Sequence, residues 1–150
     1  MKKIIKKGLK MVKNGYKAYT LNIWYREDGK NYYRIMRISG EDTLDELSAY
    51  ILYVFDFDSD HLYAFSTDGN PYDDNSYHFD NPEYKSTDTP IKEVITKVNE
   101  GLTYLYDFGD EWFFEIDVKE IEDVDEEIDP EILESVGTLE QYPYLDKSQY

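Results

Sequence analysis

Three carboxylates, Asp107, Asp110 and Glu111, crowd around Gly109 in a chain that otherwise offers little reactive chemistry. Carboxylates so close could hold a hard divalent cation such as Mg²⁺ or Ca²⁺, which take oxygen ligands. Crowding would also raise the proton affinity of one of them, as a general acid requires. The same spacing is that of a hairpin turn in which Gly109 supplies a positive φ and Asp110 bonds the turn amides. Asp107 could then pair with Arg34 in a sheet. A second acidic series, Asp56, Asp58 and Asp60, has the first three ligand positions of a calcium loop. The match ends there, because the sixth position is His61 rather than Gly and the twelfth is Thr67 rather than Glu. A solvated loop is the ordinary reading.

His61 and His78 are the two imidazoles. His61, next to the acidic loop, could be a general base or a metal ligand. It could equally be a partly buried, hydrogen-bonded residue against the strand that follows it. His78 sits in a polar segment with turn character. There is no HExxH pattern and no His pair at helical spacing. No G-x-S-x-G elbow and no glycine-rich phosphate loop occur. The absence of cysteine excludes disulfides, thiolate metal sites and a cysteine nucleophile. The 16 Tyr, 7 Phe and 2 Trp suit strands and a core, and could also stack on a peptide.

These residues must be positioned by ordinary elements. Tyr19, Leu21, Ile23 and Tyr25 alternate with mostly polar neighbours, which predicts a half-buried strand. Asp28-Gly29 then turns the chain into a second strand over Tyr32 to Ile38. Thr43-Leu44-Asp45-Glu46 is a capping box, and Leu44, Leu47, Ile51, Val54 and Phe55 give the helical stripe behind it. A loop over Asp56 to Asp60 leads to a strand from His61 to Ser66, a turn at Asp68 to Pro71, and a short strand at Tyr77 to Phe79. Residues 80–88 read as a polar loop. Thr89-Pro90 opens a helix with Ile91, Val94, Ile95 and Val98 inside, ended by Gly101. Two more strands, Leu102 to Tyr106 and Glu111 to Ile121, join at Phe108-Gly109-Asp110. Asp129-Pro130 could start a helix that stops near Gly137. This order predicts one α+β domain, an antiparallel sheet with helices packed on one face. Its parts are a basic helix or arm at 1–15, the α+β core at 16–121, and an acidic segment at 122–150 packed on that core.

Charge narrows the partners. The net charge is −17, and residues 1–17 carry seven Lys and no acid, which leaves −24 on the rest. Such a body repels nucleic acid and acidic membranes and attracts basic protein surfaces or cations. The N-terminal stretch, with Ile5, Leu9 and Val12 on one helical face, could touch a membrane or nucleic acid, or dock on its own acidic body. No apolar run approaches the length of a membrane span and no signal-peptide pattern is present, so a cytoplasmic location is expected.

Several segments together resemble the plasmid pRiA4b ORF-3-like family. They are Thr43-Leu44 at a helix start, Phe57-Asp58-Ser59-Asp60-His61-Leu62-Tyr63-Ala64-Phe65, Tyr106-Asp107-Phe108-Gly109-Asp110-Glu111-Trp112, the Tyr33-Arg34 pair, and Glu140-Gln141-Tyr142-Pro143. The Tyr-Asp-Phe-Gly-Asp-x-Trp stretch is the most specific, and the resemblance covers roughly residues 16–145. It implies a setting on plasmids and mobile elements, with no agreed activity. The chain departs from the family at Phe114, where His is frequent, and at Thr138-Leu139-Glu140, where Pro, Cys and Gly are frequent. A metal or catalytic use of those positions would not carry over.

Two functions from different classes follow. One is a non-catalytic binding or adaptor protein whose acidic, Tyr-rich surface engages a basic protein, conceivably one that holds DNA. The other is a metal-assisted hydrolase or nuclease built on Asp107, Asp110, Glu111 and His61, with Asp58, Asp60, Trp112 and Arg34 around them.

Overall fold

The computed structural model describes residues 15–143, and the N-terminal basic helix or arm lies outside the described residues. The chain forms one eight-stranded, mostly antiparallel sheet. Its strands are β1 (Tyr16–Tyr25), β2 (Tyr33–Ser39), β3 (Tyr63–Ser66), β4 (Tyr77–His78), β5 (Lys85–Ser86), β6 (Gly101–Tyr106), β7 (Trp112–Val124) and β8 (Glu131–Val136). The helices are α1 (Leu44–Val54) and the four-residue α2 (Ile91–Val94). Across the sheet the order is β5-β4-β3-β6-β7-β1-β2-β8, and only β4 and β5 run parallel. No described helix is long and apolar enough to cross a membrane.

Alternation builds the core. Tyr19, Leu21 and Ile23 of β1, Met36 and Ile38 of β2, Tyr104 and Tyr106 of β6, and Phe114, Ile116 and Val118 of β7 are buried in one cluster. Successive strand side chains point to opposite faces, so these residues share one side of the sheet. α1 meets that side directly. Ser48 and Tyr104 hydroxyls lie 2.6 Å apart, and the Phe55 and Phe114 rings are 4.9 Å apart. The capping box is formed as read: Glu46 N–H donates to Thr43 Oγ1, and Thr43 N–H donates to Glu46 Oε1.

Three local expectations are corrected. Residues 131–136 form a strand rather than a helix, because Glu131 to Val136 pair with Arg37 to Tyr33 on β2. The stripe Ile91 to Val98 is not one helix. α2 stops at Val94, Ile95 is extended with its carbonyl taken by the Tyr19 hydroxyl at 2.6 Å, and Val98 is exposed. The loop at 80–88 contains the short strand β5. In addition, β7 runs past Ile121 to Val124, so the sheet continues into the acidic C-terminal part.

Candidate functional site

The β6–β7 hairpin brings Tyr106 opposite Trp112, and the β3–β6 ladder sets Tyr63 opposite Tyr106. This pairing carries the 58–61 loop, just ahead of β3, to the 107–111 turn. The Tyr106 hydroxyl joins them: it donates to Asp58 O and accepts from His61 N–H. Burial above all pushes this phenol up to about 12, so it stays a neutral donor. From the other side, buried Gln141 accepts the Asp58 N–H on its Oε1 at 2.7 Å.

At this junction one nitrogen, His61 Nε2, faces three oxygens. Tyr142 Oη is at 3.0 Å, Asp60 Oδ1 at 3.3 Å and Asp107 Oδ2 at 3.5 Å. The His61 side chain is 35% exposed and that of Asp107 only 9%. The arrangement is a half-open imidazole backed by a nearly buried carboxylate. It can hold or pass a proton, and its carboxylates can receive a cationic group. The His61 ring meets the Tyr106 ring edge-on at 5.8 Å, and further aromatic rings pack at the same end of the sheet. Phe57 meets the Trp112 ring edge-on at 4.8 Å, and Tyr25 tilts against it at 5.3 Å. Trp112 Nε1 is buried with no hydrogen-bond partner among the described residues, an uncommon state for a buried donor.

The turn itself differs from the glycine-centred expectation. Gly109 is not the left-handed residue; Asp107 (φ 67°) and Glu111 (φ 53°) are. Asp107 Oδ1 accepts the Gly109 and Asp110 amides at 3.0 and 3.2 Å, while its own carbonyl accepts Glu111 N–H at 2.6 Å. An acid that bonds its own turn tolerates the left-handed region better than most residues. Glu111 accepts from the Tyr72 hydroxyl, and that bond raises the Tyr72 phenol to about 12. Asp107 and Glu111 thus point to different partners. Among the described residues no group of three His, Asp or Glu side chains is arranged to hold a metal ion. Asp56 is left-handed and starts the loop without joining His61.

Two further residues fall elsewhere. Arg34 does not pair with Asp107. Its Nε donates to Val54 O, Nη1 to Tyr33 O and Val136 O, and Nη2 to Gly137 O, all at 2.8–2.9 Å. Its guanidinium lies over Phe55 at 4.3 Å. Arg34 therefore ties the end of α1 to the end of β8. His78 is buried, donates to Pro71 O at 2.8 Å and stacks on Tyr84 at 3.7 Å. Sequence reasoning did not single out Tyr106, Gln141 or Tyr142 as site residues. The signal available was their place inside two of the family-like segments, 106–112 and 140–143.

A mostly antiparallel sheet whose hairpin turn carries an acidic, aromatic cluster defines the class. The sequence pattern of the plasmid pRiA4b ORF-3-like protein family matches residues 17–140, and the chain belongs to that family. A solved structure of similar fold is that of a protein of unknown function from Methanosarcina mazei Go1. It is 19% identical, with a TM-score of 0.66 over 80% of this chain and 69% of that one. No curated protein sequence matches.

Proposed function

We propose that this protein is a non-catalytic binding protein whose acidic, Tyr-rich end receives a basic segment of a protein partner. One observation carries the reading. The Asp60 and Asp107 carboxylates face His61 beside Tyr106 and Tyr142, and no described Lys or Arg forms an ion pair with either of them. Four of the described cations are engaged in ion pairs elsewhere: Arg26 with Glu115, Arg37 with Glu122 and Glu131, Lys17 with Asp123, Lys92 with Glu41. A Lys or Arg side chain from a partner would meet carboxylates and an aromatic wall together, the combination that favours cation recognition.

The test is titration of the full chain with a synthetic Arg/Lys-rich decapeptide at low and high salt, read by tryptophan fluorescence. Saturable binding that weakens at least about tenfold in Asp60→Asn, the loss of roughly one charge-assisted contact, supports the site. Equal weakening by Glu83→Gln, an acid in the exposed 80–84 loop, would mean that only the overall field acts and would sink the proposal.

A divalent-cation hydrolase at Asp107, Asp110 and Glu111 is the second reading. The contact of His61 with Asp60 and Asp107 favours it, since an imidazole backed by a carboxylate is a general base. The diverging partners of Asp107 and Glu111 weigh against it.

A further inference from the structure

The C-terminal half of α1 and the edge strand β8 bound a groove of about 130 Å³, lined by Met36, Tyr50, Tyr53, Val54, Pro130 and Ile132. It shares no residue with the acidic end around His61. The lining is almost wholly apolar, yet Tyr53 is 79% exposed and Ile132 48%. Exposed apolar surface of this kind on a highly charged protein marks a contact face. One lip is acidic. Tyr50 neighbours Asp42, and Glu46 and Glu127 lie near enough to raise the pKa of both groups beyond the effect of burial. No described Lys or Arg forms an ion pair with Asp42, Glu46 or Glu127. Lys92 feels Glu127 but gives its ammonium to Glu41. The groove calls for an occupant with apolar side chains and adjacent positive charge.

Residues 1–14 have that composition: Ile4, Ile5, Leu9, Met11 and Val12 interleave with six Lys and no acid. The geometry of the described chain allows the connection. Tyr16, the first residue of β1, pairs with Val124, and the acidic run Asp125 to Asp129 begins one residue later. Thr20 lies opposite Arg37, which lies opposite Glu131, so β8 starts two strands away from β1. With strands about 4.8 Å apart and about 3.4 Å per residue, the Pro130 end of the groove is roughly 20 Å from Gly15. Fourteen residues span about 20 Å even as a helix, and more than twice that when extended.

We propose that residues 1–14 dock in this groove of their own chain, with apolar side chains against Tyr53 and Ile132 and lysines against the exposed Glu46 and Glu127. The contact would shield a basic segment and an apolar groove at once, and a competing partner could release both.

The experiment is zero-length carbodiimide cross-linking of the full chain at low salt, mapped by mass spectrometry on an equimolar mixture of ¹⁴N and ¹⁵N protein. The expected result is links from lysines of residues 1–14 to Glu46 or Glu127 within one isotopic chain. Their yield should fall about tenfold in Ile132→Ser or Tyr53→Ser, the loss expected for removing one large apolar side chain from a contact. Leu133→Ser, equally exposed but outside the groove lining, should leave the yield unchanged. No links, links equally sensitive to all three variants, or links insensitive to Ile132 and Tyr53 would overturn the proposal. Links that join differently labelled chains would put the segment on a second copy and overturn docking within one chain.

Discussion

Replacing Asp107 separates its two jobs, because they rest on different oxygens. Oδ1 holds the turn by accepting the Gly109 and Asp110 amides, and Oδ2 faces His61. Asp107→Ala loses both turn bonds in a side chain that is nearly buried, at about 1.5 kcal/mol each for a charged acceptor. It also puts Ala at φ 67°, which adds about 1 kcal/mol. The sum is about 4 kcal/mol, a fall of about 10 °C in Tm for a domain of this size. Asp107→Asn keeps an acceptor oxygen and a side chain suited to the left-handed region, so about 1–2 kcal/mol should go. Urea denaturation and thermal melting of the three proteins measure both values. If Asn is as damaging as Ala, or if Ala costs less than about 1 kcal/mol, the turn is not held as argued. The Asn protein then serves function: it is folded yet lacks the charge, so it should lose affinity for a basic peptide while keeping the turn.

Three other outcomes follow from the same contacts. Arg34→Lys should cost about 2–3 kcal/mol in urea denaturation, because an ammonium cannot span four carbonyls that a planar guanidinium reaches; a cost under about 0.5 kcal/mol would show that these bonds contribute nothing net. Burial, joined by Glu46 and Glu127 and opposed by the Tyr50 hydroxyl, holds the Asp42 carboxyl above its ordinary 3.8. The folded state then binds this proton more tightly than the unfolded chain, so the stabilisation is full below 3.8 and lost as pH rises through the raised value. Asp42→Asn should therefore flatten the stability profile above pH 3.8 and be the more stable protein once pH has passed the raised value; a variant that is less stable there contradicts the sign. Thermal melts of wild type and Asp107→Asn with Mg²⁺, Mn²⁺, Ca²⁺ and Zn²⁺ should show equal rises from charge screening, whereas a saturable, metal-selective rise lost in the variant would revive the hydrolase reading.

Local signals served where local interactions decide. The β1–β2 hairpin and the α1 capping box are written in neighbouring residues, and both formed as read. They failed where a distant strand decides. Asp129-Pro130 followed by Ile132, Leu133 and Val136 has a helix start and helical spacing, yet pairing with β2 draws the segment into the sheet. Ile95 likewise leaves the helical stripe because Tyr19 takes its carbonyl. In the site, His61 and Asp107 were legible from side-chain chemistry. Gln141 was not, since it acts on the backbone of Asp58, 83 positions away.

The geometry also bears on what a family-like motif can mean. Tyr106, Asp107, Gln141 and Arg34 each satisfy backbone groups, so their presence is explained by folding alone. They are poor evidence for a reaction, however specific the pattern they make. The groups that folding does not require are more informative. Asp60 keeps 62% of its side chain in solvent at the edge of the cluster. Trp112 leaves a buried Nε1 donor with no partner among the described residues. The buried, unpartnered donor carries a cost that the fold does not recover, whereas the Asp60 carboxylate stays hydrated. A Lys or Arg side chain of a partner would reach the Asp60 carboxylate without breaking any backbone bond of the fold. Asp60, not the turn glycine or its caps, is where substitution should change binding without changing the fold.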